Sequence, residues 1–330
     1  MARYLVTGGA GFIGSHLVEE LLRRGDTVRV VDNLSTGKRE NLEAAAEAAG
    51  VGVPEFVEGD VADLDLARRA VTDIDYVLHQ AAIPSVPRSV ADPVSSNHAN
   101  IDGTLAMLVA ARDAGVRRLV FAGSSSVYGD AAVMPKREDM PCKPLSPYAL
   151  QKHVGEQYLQ MFTALYGLET VTIRYFNVFG PRQDPSSPYS GVISLFVKAA
   201  HEGQAPTIYG DGGQTRDFTY VANVVDGVLR AAVAPGVSGQ VINVATNGRV
   251  ALTELWDEVR ELLGAEQRPI FAPPRPGDVR DSQADIAKAA ALLGYRPIVP
   301  FSEGLRRTVA WATGSVAYGT GETSSRRPSR

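Results

Sequence analysis

Tyr4-Leu5-Val6-Thr7-Gly8-Gly9-Ala10-Gly11-Phe12-Ile13-Gly14 carries an apolar run straight into glycines and then into a helical pattern. Gly9-x-Gly11-x-x-Gly14 has the spacing of a dinucleotide-binding strand–turn–helix, and Gly8, Gly11 and Gly14 are also three apart. One glycine supplies the positive φ of a tight turn. Another leaves room for a pyrophosphate against the backbone, and a third lets the helix pack close to the strand. The helix N-terminus then faces the phosphates. Asp32 follows Gly14 by 18 residues, at the end of the next apolar run. A carboxylate there accepts hydrogen bonds from an adenosine ribose and repels a 2′-phosphate. No arginine immediately follows, so the stretch predicts NAD rather than NADP.

Outward from this turn, short apolar runs at 4–7, 28–32, 55–58, 76–80, 119–122 and 171–175 read as buried strands. Helical patterns at 12–24, 64–71, 103–114 and 148–166 lie between them. This alternation predicts an α/β fold: a Rossmann-like doubly wound parallel sheet. After Asn177 the texture changes. Pro181, Pro185 and Pro188, several glycines, and Pro273-Pro274-Arg275-Pro276-Gly277 separate shorter helices at 192–202, 252–263 and 286–293. The division expected is an NAD-binding domain over 1–177, returning to its sheet near 214–246, and a smaller C-terminal substrate domain over 178–312. Residues 313–330, rich in Gly, Ser, Thr and Arg, read as a disordered tail.

The bulk properties exclude several classes. A chain of 330 residues, 45% hydrophobic, suffices for one large domain or two interlocked ones. A net charge of −4 without blocks of like charge gives no nucleic-acid footprint. No 18-residue apolar window suggests a membrane span, and no signal peptide is visible. The single cysteine, Cys142, fits a reducing compartment, so a cytoplasmic protein is expected.

Tyr148 and Lys152 follow Ser146-Pro147, a helix start in which Ser146 is the N-cap and Pro147 the first helical residue. They are then i and i+4 on one face. A phenol with a free pKa of about 10 is a poor base. A nearby ammonium and a positive nicotinamide both favour phenolate. Tyr148 could then exchange a proton with a substrate hydroxyl, Lys152 hold the nicotinamide ribose, and Ser124, at a strand end, bind the same hydroxyl. His16, His79, His98, His153 and His201 show no metal-ligand spacing and read as structural or solvated, so no metal is expected. Cys142 lies in a Pro/Lys-rich loop, and Tyr166, Tyr175 and Phe176 read as core or pocket wall.

With these motifs the chain resembles the extended short-chain dehydrogenase/reductase family over about residues 3–312, and within it the nucleotide-sugar 4-epimerases. The likeness rests on residues 6–16, Asp32-Asn33, Gly59-Asp60-Val61, the run Ser124 to Gly129, Ser146-Pro147-Tyr148 with Lys152, Arg174 to Pro181, and Arg216-Asp217-Phe218. The resemblance implies a cofactor set of Gly8, Gly11, Phe12, Ile13, Gly14, Asp32, Asn33, Asp60, Val61, Ala81, Ala82, Asn100, Tyr148, Lys152 and Tyr175. Asp60 and Val61 would border adenine, and Ala81 and Asn100 would line the cleft. On the substrate side it implies Asn177 at the nucleotide phosphates, Arg216 and Arg275 as a diphosphate clamp, and Asp278 at the nucleotide ribose. The helices near 103–114 and 148–166 form a dimer bundle in relatives, so a homodimer is expected.

Ser125 and Ser126 narrow the reaction. Dehydratases of this family carry Asp-Glu in these slots, and decarboxylases usually Glu. A serine cannot act as the acid in an elimination. What remains is simple oxidation and reduction at one carbon, and the resemblance then implies redox-neutral epimerisation at the sugar C4 through a 4-keto intermediate, with bound NAD reused each cycle. Ser282 falls where relatives gate the sugar pocket, a small residue admitting N-acetylated sugars; Ser85 could reach the sugar. The expected substrate is UDP-GlcNAc/UDP-GalNAc, with UDP-Glc/UDP-Gal also admitted. Pro84 stands where glucose-type relatives carry a lysine, which fits the same branch. A UDP-glucuronate 4-epimerase, another nucleotide-sugar dehydrogenase or reductase, and a non-catalytic NAD sensor are the alternatives.

Overall fold

The computed structural model describes residues 1–184, 191–274 and 279–314. The expectations for Arg275, Asp278 and residues 315–330 of the tail lie outside the described residues. Seven strands form one parallel sheet. They are β1 (Arg3–Thr7), β2 (Thr27–Asp32), β3 (Glu55–Glu58), β4 (Tyr76–His79), β5 (Arg118–Ser124), β6 (Glu169–Tyr175) and the strand Gln240–Val244. From one edge the order is Gln240–Val244, β6, β5, β4, β1, β2, β3. The winding reverses between β1 and β4, so a crevice opens at their C-terminal ends. The Gly8 turn leaves one end and the Ala81 segment the other. On the far side, register sets Ser124 beside Tyr175 and Tyr175 beside Val244.

Side chains alternate across the sheet. Val6, Val30, Leu78 and Val120 pack on one face with Leu17, Val224 and Val228. Leu5, Val31, Val77 and Leu119 pack on the other with Leu108, Phe121 and Phe162. Two glycines make the first turn possible. Gly8 has φ +65, and a Cβ on it would lie 2.7 Å from the Ala81 nitrogen. A Cβ on Gly14 would lie 2.1 Å from the Gly8 carbonyl oxygen, so only glycine lets the helix Phe12–Arg23 sit this close to the strand.

Each strand expected in the first half is present within a few residues, as are the helices Leu64–Ala70, Gly103–Asp113, Pro147–Tyr166, Val192–His201, Leu252–Leu263 and Ala287–Leu293. The sequence reading passed over the helix Arg39–Ala49, whose buried face is only Leu42, Ala45 and Ala46. It also passed over the short helices Val86–Ala91 and Pro93–Asn97 and the helix Phe301–Ala312. Among the described residues no helix is long and apolar enough to cross a membrane.

Candidate active site

A cleft of about 1990 Å³ opens along the C-terminal edge of the sheet. Single small-molecule pockets run roughly 300–1,000 Å³, so this one has room for a dinucleotide and a second ligand together. At one end the lining is Gly8, Gly11, Phe12, Ile13, Gly14, Asp32, Asn33, Asp60 and Val61. In the middle come Ala81, Ala82, Ser124, Tyr148, Lys152 and Tyr175, and at the other end Ser85, Ser125, Ser126, Asn177, Arg216 and Ser282.

The glycine end suits a diphosphate. Gly11 is the N-cap of the helix Phe12–Arg23, no side chain caps that terminus, and its first turn holds no acidic residue. The first amides of a helix lack intrahelical acceptors, and here the residues that bear them line the cleft. Asp32 is 7% exposed, and burial pushes its carboxyl up. Its oxygens accept the Ala10 N–H at 3.0 Å and the Leu34 N–H at 2.8 Å. These bonds hold the carboxylate at the cleft while leaving lone pairs for a ribose hydroxyl. Asn33 Nδ2 donates to Asp60 Oδ2 at 3.2 Å, and Asp60 Oδ1 accepts the Ala62 N–H, so the adenosine end is already organised. This chain's residues therefore fit NAD.

The catalytic helix begins as its sequence dictates: Ser146 Oγ accepts the Ala149 N–H at 3.2 Å and Pro147 opens the first turn. The Tyr148 N–H donates to Ser89 Oγ at 3.0 Å, tying this terminus to the helix Val86–Ala91. The Tyr148 phenol lies beside the Ser124 hydroxyl, which is 2.9 Å from Ser126 Oγ. Burial pushes the Tyr148 phenol up, and the Ser124 hydroxyl is the group that draws it down. Lys152, 3% exposed, is itself pushed down to about 8 by burial, against the pull of Glu156. Its Nζ sits 4.8 Å above the Phe121 ring. Ammonium and phenol share the site, and desolvation dominates both.

Asn177, in left-handed backbone with φ 35, donates from Nδ2 to the Asp217 carbonyl at 3.1 Å and toward Ser282 Oγ at 3.5 Å. Arg216 Nη1 donates to the Thr215 and Arg280 carbonyls, which aims the guanidinium at the same wall. Ser85 Oγ caps the helix Val86–Ala91 by accepting the Arg88 N–H at 3.2 Å, which leaves its proton and one lone pair for a ligand.

Asn100 is corrected. It does not line the cleft but lies fully buried behind it. Its Oδ1 accepts the Ile83 N–H at 2.8 Å and its Nδ2 donates to Gln151 Oε1 at 2.8 Å. It shapes the cleft wall from the rear. The sequence reading also missed Gln80, whose Oε1 accepts the Tyr175 hydroxyl at 2.9 Å, and the polar turn Ser35-Thr36-Gly37 that lines the adenosine end. The run Asn33 to Gly37 directly after Asp32 was the available signal. Away from the cleft, Cys142, His153 and Glu156 bring ligand atoms within 4.8 Å of one another. Arg174 Nη2 already donates to Glu156 at 2.7 Å and to Cys142 Sγ at 3.1 Å, so a guanidinium supplies the cation of that cluster.

The family described as NAD dependent epimerase/dehydratase matches the chain over residues 4–245. A UDP-glucose 4-epimerase of Mycolicibacterium smegmatis is 43% identical over 93% of this chain and 97% of its own length. A solved UDP-N-acetylglucosamine 4-epimerase of Methanobrevibacter ruminantium, in complex with UDP-N-acetylmuramic acid, superposes with a TM-score of 0.89 at 39% identity, covering 96% of this chain and 99% of that one. The UDP-glucose 4-epimerase of Thermus thermophilus in complex with NAD gives 0.85 at 40% identity, covering 95% of this chain and 100% of that one.

Proposed function

Since this chain belongs to the NAD dependent epimerase/dehydratase family, we propose that it is a redox-neutral UDP-sugar 4-epimerase, acting foremost on UDP-GlcNAc/UDP-GalNAc and also on UDP-Glc/UDP-Gal. The observation that carries the reading is that Ser124, Tyr148 and Lys152 line one stretch of the cleft, with serines rather than carboxylates beside them at 125 and 126. NAD held in this cleft would supply the acceptor and then the donor of a hydride at the sugar C4.

The chain's own residues do the rest. Ser124 orients the 4-hydroxyl and Tyr148 takes its proton, then gives it back. Lys152 holds positive charge beside the phenolate as it forms. Arg216 and Asn177 retain the nucleotide diphosphate, so the 4-keto sugar can turn without leaving. Residues 178–312 are assigned chiefly to that retention.

The first experiment is incubation with UDP-GlcNAc without added NAD, followed by chromatographic separation of the epimers. Formation of UDP-GalNAc supports the reading; no turnover of any UDP-hexose, even with NAD supplied, sinks it. Ser282 lies beside Asn177 at the sugar end. Ser282→Tyr is expected to lower UDP-GlcNAc turnover by about tenfold or more while UDP-Glc stays within about threefold, because bulk there clashes with the N-acetyl group alone. Equal losses on both sugars would end the gate argument. A hexuronate is the second reading. Lys136 borders the cleft, 2% exposed; its backbone N–H donates to the carbonyl of Gln283, the residue after Ser282, and its Nζ to the Ala131 carbonyl.

We also propose a homodimer through the helices Gly103–Asp113 and Pro147–Tyr166. The second leaves Leu150, Met161 and Leu165 exposed by 52, 51 and 65%. A water-facing apolar stripe of this kind calls for a partner. Light scattering is expected to give twice the 35.2 kDa chain mass, and Leu165→Glu to shift it toward the monomer.

A further inference from the structure

His79 ends β4, is 1% exposed, and engages both ring nitrogens. Nδ1 lies 2.7 Å from Thr7 Oγ1, and Nε2 lies 3.2 Å from Thr104 Oγ1. The neighbouring bonds fix which nitrogen carries the proton. Thr104 Oγ1 donates to the Asn100 carbonyl at 2.7 Å, so toward His79 it can only accept. The proton therefore sits on Nε2, and Nδ1 accepts from Thr7. Thr7 Oγ1 in turn accepts the Ala81 N–H at 3.2 Å. The hydroxyl protons and the imidazole of this relay thus point in one direction, from Thr7 to His79 to Thr104 to Asn100. Burial, with Lys152 nearby, pushes the ring down to about 3, which keeps it neutral.

The relay reaches both halves of the site. Thr7 immediately precedes the Gly8 turn, and Ala81 lines the cleft. At the other end Asn100 binds Ile83 and Gln151, and Gln151 immediately precedes Lys152. Asn100 sits in the π-helical turn His98–Asp102. Such turns interrupt the regular helix ladder and occur often at functional sites. The imidazole also stacks on Phe121 at 5.9 Å, the ring that carries the Lys152 ammonium.

We infer that His79 is a positioning residue: through one tautomer it locks the glycine turn and the Ala81–Ile83 wall to the helix that carries Tyr148 and Lys152. The inference rests on the epimerase reading only for its turnover arm; its cofactor arm needs NAD binding alone. His79→Asn places an acceptor near Thr7, His79→Gln a donor near Thr104, and neither spans both. Each variant is expected to lose about tenfold or more in kcat, since small misplacements at a reacting centre carry large effects. Each is also expected to lose about threefold or more in calorimetric NAD affinity. UDP-sugar KM should stay within about twofold, because Asn177, Arg216 and Ser282 lie off the relay.

A purely structural histidine would lower the unfolding midpoint and leave kcat and NAD affinity of the folded protein unchanged, and that result overturns the inference. Should the His79 variants not fold, Thr7→Val, Thr104→Val and their double variant decide it through NAD affinity. The double loss is expected to differ from the product of the single losses by about threefold or more; agreement within about 1.5-fold overturns the relay. If no UDP-sugar is turned over, only the kcat arm falls with the epimerase reading, and the NAD-affinity arm still decides the role of His79.

Discussion

Tyr148→Phe is expected to reduce epimerisation by about a thousandfold, the range in which a single positioned acid–base group operates. The loss should fall on kcat. The ring remains, so the cleft wall is preserved, and the diphosphate contacts at Asn177 and Arg216 are untouched. Stability should shift by about 1 kcal/mol or less, since the phenol gives up no more than its polar interaction with Ser124. The Ser124 hydroxyl keeps Ser126 as a neighbour at 2.9 Å, so it is not stranded. A pH–rate profile separates this from a packing effect. Burial pushes the Tyr148 phenol up, so the wild-type rate should climb with pH as the phenolate fraction grows. That acidic limb should vanish in the variant. A Tyr148→Phe enzyme that retains a tenth of wild-type kcat would assign the proton transfer elsewhere, with Ser124 or Ser126 the next groups to test.

The division between what the sequence discloses and what only the fold shows has physical reasons. The glycine turn, Asp32, and the Ser146-Pro147-Tyr148-x-x-x-Lys152 start are legible because each depends on local geometry: a positive φ, a strand end, a helix cap. The sheet strands are legible because strands buried on both faces must be continuous apolar runs. The helix Arg39–Ala49 is not legible in the sequence because alanines make a shallow buried face with little contrast to its exposed one. Asn100 was misplaced because the same side chain can face a cleft or stand behind it, and one π-helical turn decides which. His79 looked bland because its role depends on Thr7 and Thr104, which lie 72 and 25 residues away along the chain. The balance of charge at Tyr148 and Lys152 was also out of reach, since it is set by burial that only tertiary packing creates.

Lys152→Met is expected to inactivate the enzyme by about two to three orders of magnitude and to stabilise the cofactor-free fold. The two effects share one cause. Burial lowers the Lys152 ammonium from 10.5 to about 8, and the shift corresponds to about 3 kcal/mol of unfavourable burial of the charged form. Below pH 8 both the folded and unfolded chains carry the proton, so folding bears that cost in full. Between about 8 and 10.5 the unfolded chain still binds the proton and the folded one does not, so stability rises with pH. Above 10.5 the penalty is gone. Methionine has nearly the same length and no charge. It forfeits the contact with the Phe121 ring, worth about 0.5–2 kcal/mol, but strands no partner, because Glu156 is held by Arg174 at 2.7 and 2.9 Å. The net gain at pH 7 should be about 1–3 kcal/mol, and the Lys152 share of the rise between pH 8 and 10.5 should disappear. Urea denaturation at pH 7 and 9.5 measures both. A variant destabilised at pH 7 would mean that the ammonium is a structural group of the fold. A variant stabilised and inactive would mean that a buried cation is retained there, against the stability of the chain, for the charge it holds beside Tyr148.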